Sequence, residues 1–140
     1  RIPEGFSIER ISPELIDGME RNQEFIDYIQ CFWGSLDTFF DKGFGFCAVN
    51  ATDFATICIS VFASENDREV GIKTFPGFQQ KGLAYATACA YIEECLKNDY
   101  IPVWSCFSEN AVSVKLAEKL GYAIEASHPI YFASIGNNKQ

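Results

Sequence analysis

Apolar and polar residues alternate at the start of the chain and then take up helical spacing. Residues 6–11, "FSIERI", alternate as a half-buried strand does. Ser12 and Pro13 then start a helix, because proline suits the first helical position, and we expect a break near Gly18. Helical spacing continues over 22–34, "NQEFIDYIQCFWG". One face of this helix carries apolar side chains, namely Phe25, Ile29 and either Phe32 or Trp33.

The next part of the chain is rich in strand-forming residues. Residues 44–64, "FGFCAVNATDFATICISVFAS", give two strands separated by the polar break Asn50–Asp53, which suits a hairpin. Residues 68–75, "REVGIKTF", alternate again and predict a third strand. We expect these three consecutive strands to form a meander.

Helices and strands alternate in the second half of the chain. Leu83–Leu96 predicts a helix with Ala84, Ala88, Tyr91 and Cys95 on one face, widened by Ile92 and Leu96. Residues 101–108, "IPVWSCFS", are almost continuously apolar, as a strand buried on both faces would be. Asn110 is an N-cap for a last helix that ends near Gly121. An apolar stripe on that helix is predicted from Val112, Leu116 and Leu120. Residues 122–135 close the chain with one strand, or with two that are broken at Pro129.

This order of elements predicts an α/β fold in which a mixed sheet is flanked by helices. We expect one domain over residues 1–135 and a polar, frayed tail at 136–140. The first helices and the loops at 34–45 and 127–131 carry the least informative patterns, and we expect acceptor specificity to come from them.

Composition and charge exclude several classes of function. The chain has 140 residues, of which 48% are hydrophobic, and a formal net charge of −8 with scattered lysines and arginines. Nucleic-acid binding normally needs clustered positive charge, so we do not expect a DNA or RNA partner. No apolar run approaches the roughly 20 residues that span a bilayer, and no secretion signal is present, which favours a cytoplasmic protein without membrane contact. The chain begins at Arg1, which leaves open an N-terminal lobe or a homodimer partner.

The six cysteines favour buried free thiols rather than disulfides or a metal site. They lie at positions 31, 47, 58, 89, 95 and 106, mostly inside apolar runs and without a C-x-x-C pair. Disulfide frameworks are typical of short secreted chains with poor cores, and this core is rich. The single histidine, His128, has no cysteine near it in sequence, so we predict no metal.

The turn before the second-half helix is typical of phosphate-binding turns. A turn that enters a helix presents unpaired N–H groups and the positive end of the helix dipole, and small residues let a phosphate approach. The run Gln79-Gln80-Lys81-Gly82-Leu83-Ala84 resembles the Q/R-x-x-G-x-G/A signature of the GNAT superfamily of acyl-CoA-dependent N-acetyltransferases. A second run, 108–122, is similar to a later segment of that family, with Asn110, Ser113, Leu116, Lys119, Gly121 and Tyr122 in register.

The resemblance implies a GNAT-like fold, acetyl-CoA as co-substrate and a small amine as acetyl acceptor, with direct transfer and no metal. Residues 103–122 look most like the zwittermicin-resistance-type branch, whose members have a further lobe before this region. The strand at 68–75 would splay from the strand at 101–108 and hold the thioester arm through backbone at Ile72, Lys73 and Thr74. Gln79 to Ala84 would hold the pyrophosphate, and Asn110 and Ser113 would contact the coenzyme.

The resemblance also names catalytic candidates. Glu69 is the candidate base, with Glu65 and Asp67 as alternatives, and a solvated surface carboxylate is the competing interpretation. Family members commonly carry a tyrosine after the leucine of the last helix, where this chain has Ala117. Tyr122 is then the candidate acid, although packing is the usual role of that position. A non-catalytic acyl-CoA-binding domain, or a structural module without a coenzyme site, therefore stays open beside the enzyme.

Overall fold

The computed structural model describes residues 2–107, 109–126 and 130–134. Its helices are α1 Pro13–Gly18, α2 Gln23–Trp33, α3 Leu36–Lys42, α4 Leu83–Lys97 and α5 Ala111–Lys119. Its strands are β1 Ser7–Arg10, β2 Gly45–Val49, β3 Phe54–Ala63, β4 Asp67–Thr74, β5 Ile101–Phe107, β6 Ala123–Ala126 and β7 Ile130–Ser134. The order of elements follows the prediction except for α3, and the chain closes with two strands. His128, Pro129 and the predicted tail at 136–140 lie outside the described residues.

All seven strands form one mixed sheet in the order β1-β2-β3-β4-β5-β7-β6. Strands β1 to β4 are consecutive antiparallel neighbours, so the predicted meander is confirmed. The β2–β3 hairpin turns at Asn50, whose side-chain oxygen accepts hydrogen bonds from the N–H groups of Thr52 and Asp53. In the described part of the chain, β4 and β5 are the parallel pair, and α4 connects them.

Strands β4 and β5 pair along a short segment and then separate. Their register joins Asp67 to Ile101, Arg68 to Pro102 and Glu69 to Val103. Strand β4 then continues to Thr74 and β5 to Phe107 without further pairing to each other. The sheet is therefore open between the carboxyl halves of its two parallel strands.

Helices cover the sheet on both faces. We call the α2 face the side on which Phe25 and Ile29 of α2 pack with Ile57 and Ile59 of β3. The opposite side is the α4 face, where helix residues pack against strand residues in a second cluster, which includes Tyr91, Cys95, Cys58, Val70 and Trp104. Because side chains alternate along a strand, successive residues of β3 and β4 contribute to opposite clusters.

Local signals explain several helix boundaries. The Ser12 hydroxyl accepts a hydrogen bond from the N–H of Leu15 at 3.1 Å, with Pro13 in the first turn. Helix α1 ends at Gly18, where a break was predicted. Gly121 follows α5 with a φ of 99°, a left-handed conformation that glycine adopts without steric cost.

Two sequence expectations need correction, and one open alternative is decided. The segment 34–45 is not one loop, because Ser35 caps α3 by accepting a hydrogen bond from the N–H of Thr38. On α2, Trp33 rather than Phe32 turns to the protein, and its Nε1 donates to the Ser60 carbonyl at 2.7 Å. On α5, the predicted apolar stripe forms only in part, because Leu116 and Leu120 pack against the cluster of the α4 face and Val112 does not. Val112 is 81% exposed, whereas Ala117 is fully buried.

Candidate active site

A cleft of about 480 Å³ opens beside the carboxyl half of β4, between the start of α4 and the start of α5. The residues that line it are Ile72, Lys73, Thr74, Gln79, Gln80, Ala84, Asn110, Val112, Ser113 and Leu116. All of them except Val112 and Leu116 were predicted as coenzyme contacts, either from the two sequence motifs or, for Ile72 to Thr74, from the strand at 68–75. The fold therefore brings together two motifs that lie far apart in the sequence.

The turn that leads into α4 is held in an unusual backbone conformation. Gly82 is the N-cap of α4 in a left-handed conformation with φ 79°, and Gln80 also has a positive φ of 63°. The Gln79 side chain accepts from the N–H of Gly77 and donates to the Thr74 carbonyl, which ties the turn together. No side chain of the described residues caps α4. Its first N–H groups therefore have no side-chain partner among these residues, and the positive end of this 15-residue helix lies beside the cleft residues Gln80 and Ala84.

Three residues of the first motif occupy other positions. Lys81 and Gly82 are exposed on the turn and do not line the cleft. Leu83 is 1% exposed and packs with Ala48 and Ala55, so its side chain belongs to the core. For Gly82 and Leu83, only the backbone could contact a ligand.

The second motif forms the far wall of the cleft. Asn110 caps α5, since its side-chain oxygen accepts a hydrogen bond from the N–H of Ser113 at 3.2 Å. The Trp104 Nε1 donates to the Ser113 hydroxyl at 3.1 Å, which fixes this hydroxyl against β5. Val112 and Leu116 add an apolar surface to the same wall. These two residues were expected in the apolar stripe of α5, and their place at the cleft was not predicted.

Glu69 lies where β4 and β5 separate. It is the last residue of β4 in the parallel register, and one of its carboxylate oxygens accepts a hydrogen bond from the Ser105 hydroxyl at 2.8 Å. The side chain is half-buried, whereas the alternatives Glu65 and Asp67 are exposed. Ser105 was not predicted, because its contact depends on the β4–β5 register, which no local pattern specifies.

The position of Tyr122 argues against the catalytic role predicted for it. Its ring is buried against Trp104, with ring centres 5.3 Å apart. Its hydroxyl is enclosed and has no hydrogen-bond partner among the described residues, and burial raises the pKa of this phenol well above its ordinary value. Ala117, at the position where the family has its usual acid, is also fully buried.

The family model for GNAT acetyltransferases matches residues 1–131. The chain belongs to the GNAT acetyltransferase family. Its mixed sheet, its separated parallel strands and the glycine turn before α4 are thus those of a family member. The narrower placement in the zwittermicin-resistance-type branch stays a prediction.

Known proteins similar to this GNAT chain include longer ones. The uncharacterized N-acetyltransferase YdfB of Bacillus subtilis (strain 168) is 31% identical over 133 residues, which cover 95% of this chain and 50% of YdfB. The GCN5-related N-acetyltransferase-like protein of Streptococcus suis 89/1591 is 26% identical with a TM-score of 0.76, over 94% of this chain and 51% of that one. The chain thus spans about half the length of these two relatives.

A second similar structure has nearly the same extent as this GNAT chain. It is yncA of Salmonella typhimurium, a putative acetyltransferase solved with its cofactor acetyl-CoA. The TM-score is 0.76 at 12% identity, over 98% of this chain and 96% of that one, which shows a shared fold. None of the described helices of the present chain has the length and apolar character needed to cross a membrane.

Proposed function

We propose that this domain binds acetyl-CoA in the cleft beside β4 and transfers its acetyl group to a small amine. The observation that carries the proposal is the meeting of both sequence motifs in one cleft, next to the point where β4 and β5 separate. The acetyl-CoA reported for yncA, which shares the fold, supports the choice of ligand.

The residues of the cleft fit a long, phosphate-bearing thioester. The first N–H groups of α4 would hold the pyrophosphate, because helix N-termini attract anions and Gly82 leaves the approach free of a side chain. Lys81 adds a positive charge beside this turn on an acidic chain. Backbone groups of Ile72 to Thr74, together with Asn110 and Ser113, would hold the remainder. Bound acetyl-CoA supplies an acetyl group activated as a thioester.

Glu69 is the proton acceptor in this proposal. An amine attacks a carbonyl carbon only in its neutral form, whereas most alkylamines carry a proton near neutral pH. A carboxylate at the opening between β4 and β5 can take that proton directly or through water. Ser105 donates a hydrogen bond to it, which holds the carboxylate in one orientation.

The leaving thiolate needs no dedicated acid for the reaction to proceed. Thiols have an ordinary pKa of about 8.5, so a thiolate leaves without prior protonation more easily than an alkoxide would. The enclosed Tyr122 hydroxyl and the buried Ala117 provide no acid at this cleft. We therefore expect transfer to proceed more slowly than with a well-placed phenol.

The lack of an acid at the cleft supports a second candidate, a non-catalytic acyl-CoA-binding domain. A cleft that holds the coenzyme without an acid for the thiolate could serve as a sensor or regulatory module. The two candidates differ at Glu69. The enzyme requires its carboxylate for turnover but not for coenzyme binding, whereas the binding domain does not require it for either.

Thermal unfolding with and without acetyl-CoA tests coenzyme binding. A ligand at 100 times its dissociation constant should stabilise the folded state by about 2.7 kcal/mol. We expect Gly82→Asp to reduce this stabilisation and Gly82→Asn to retain most of it. These two side chains have the same shape and tolerate a left-handed backbone, so they differ in the charge placed near the pyrophosphate. Equal stabilisation of the two variants, or no stabilisation of the parent protein, would contradict the proposed site.

Acetylation of a panel of small amines then separates the two candidates. For the enzyme, Glu69→Gln should lower kcat by about 100-fold while the dissociation constant of acetyl-CoA is unchanged. Binding of acetyl-CoA without any acetylated product would favour the non-catalytic domain.

A further inference from the structure

The coenzyme cleft and the Glu69 carboxylate lie on different faces of the sheet. The cleft is lined by α5 and the start of α4, and its residue Ile72 packs in the cluster of the α4 face. A side chain at Gly71 would point to the α2 face, because its Cβ would lie 3.1 Å from the Tyr28 hydroxyl. Glu69 is two residues away on the same strand and therefore shares that face. An amine that gives its proton to Glu69 must approach from the α2 face.

The surroundings of Glu69 on this face are apolar and aromatic. Phe62 of β3 is its direct cross-strand partner, so the two side chains are neighbours on one face. Phe62 is 58% exposed. The large apolar side chains that are exposed in the described part of the chain are Phe32, Phe62 and Val112. Val112 belongs to the coenzyme cleft, whereas Phe32 and Phe62 do not line that cleft.

A β-bulge extends this apolar surface toward α2. The β3–β4 register pairs Ser60 with Val70 and Phe62 with Glu69, which leaves Val61 as the extra residue of β3. The Val61 side chain lies over Gly71, where a Cβ would come within 2.3 Å of it. The Tyr28 hydroxyl reaches the same spot, and the Tyr28 ring contacts Phe32 with ring centres 5.2 Å apart. Glu69 thus lies at the end of a surface formed by Phe62, Val61, Tyr28 and Phe32.

A positive charge lies further along this surface. The Lys73 ammonium is 6.0 Å from the centre of the Tyr28 ring and 5.3 Å from that of Phe75. Lys73 is four residues beyond Glu69 on β4, about 13 Å at the usual rise of a strand. An acceptor that extended a second ammonium group along this surface would bring it toward Lys73, and like charges repel.

We propose that the acceptor is a monoamine carried on an apolar body of about the size of a phenyl ring. Its ammonium meets Glu69, and its apolar body lies against Phe62, Val61 and Tyr28. We call these three side chains the acceptor surface. The proposal rests on the function inferred above and adds the class of acceptor. Polyamines are disfavoured because the surface is apolar next to Glu69 and cationic at Lys73.

Calorimetric titration of the protein with matched amines, in the presence and absence of coenzyme A, tests this proposal without requiring turnover. 2-Phenylethylamine should bind about tenfold more tightly than ethylamine, which has the same ammonium without the ring. 1,8-Diaminooctane, which is long enough to extend from Glu69 toward Lys73, should bind less tightly than octylamine, its match without the second ammonium. Phe62→Ser should remove most of the preference for the ring, Phe62→Leu should retain part of it, and Lys73→Gln should improve binding of the diamine.

The outcomes separate this proposal from the proposed function. If 2-phenylethylamine binds no better than ethylamine, or if Phe62→Ser leaves the preference intact, the inference is overturned whether or not acetyl transfer occurs. If the ring preference is found but no amine is acetylated, the acceptor surface stands and the proposed enzyme fails. Sedimentation of the same variants tests a competing occupant. If Phe62→Ser converts a dimer into a monomer without affecting amine binding, the surface is an interface between copies and the inference is wrong.

Discussion

Gly71→Ala is a direct test of the packing around the opening in the sheet. Gly71 pairs with Ile59 in the register of β3 and β4. A Cβ at this position would lie 2.3 Å from Cγ1 and 3.5 Å from Cβ of Val61, and 3.1 Å from the Tyr28 hydroxyl. Val61 is β-branched, and branched side chains have few alternative rotamers. The added methyl group therefore has to displace Val61, Tyr28 or the strand itself.

The expected cost follows from two opposing effects. Overpacking of this kind usually destabilises a protein by about 1–3 kcal/mol. Replacement of glycine by alanine recovers roughly 0.5–1 kcal/mol, because the unfolded chain loses conformational freedom. Gly18→Ala is the matched control, since Gly18 has a negative or extended φ and nothing within 4 Å of its Cβ position. This control should show only the gain from the reduced freedom of the unfolded chain. The free energies of unfolding of the two variants should therefore differ by about 1–3 kcal/mol.

Thermal and urea unfolding measure this difference. For a domain of this size, each kcal/mol corresponds to a change in Tm of about 4 °C. The double variant with Val61→Ala should recover part of the loss, because it removes the methyl group that the new Cβ meets. If Gly71→Ala is as stable as Gly18→Ala, or if Val61→Ala gives no recovery, Val61 does not fill the space over Gly71. The proposed acceptor surface would then lose one of its parts.

Three further predictions concern the site and the thiols. Ser105→Ala should lower kcat less than Glu69→Gln does and leave the KM for acetyl-CoA unchanged. Ser105→Thr should restore kcat, because threonine keeps the hydroxyl; an equal loss of kcat with threonine would refute a hydrogen-bonding role. Asn110→Ala should reduce the free energy of unfolding by about 1 kcal/mol in urea melts, and Asn110→Ser should not, because serine also caps helices. Cys31 is exposed and should react with a thiol reagent in the folded protein. Cys47 should not react, because burial raises its pKa to about 12 and leaves little thiolate at mildly alkaline pH. Mass spectrometry of the modified peptides measures the difference.

The order of elements could be predicted because each one carries a local signal. Alternation specified β4, helical spacing specified α4, and the cap at Asn110 with the glycine at 121 bounded α5. Helix α3 was missed because Leu36–Lys42 is short and its aromatic residues do not mark one face clearly. Short helices depend on a cap and on tertiary packing more than on periodicity.

Most residues of the cleft beside β4 could be predicted from sequence, whereas the surroundings of Glu69 could not. The cleft depends on a turn, a helix start and one strand that are each local, so the two motifs and the strand at 68–75 included most of its lining. The contact of Glu69 with Ser105 depends on the β4–β5 register, and the placement of Phe62 depends on the bulge at Val61. Register and bulges are set by the packing of whole strands.

Strand β4 separates the two substrates of the proposed reaction because its side chains alternate. Ile72 belongs to the α4 face and the coenzyme cleft, whereas Glu69 and the position of Gly71 belong to the α2 face. The two faces can meet at a reacting carbon because β4 and β5 stop pairing after Glu69. A continuous ladder there would close the sheet between coenzyme and amine. The early end of the parallel pairing is therefore the feature of this fold on which the proposed direct transfer depends.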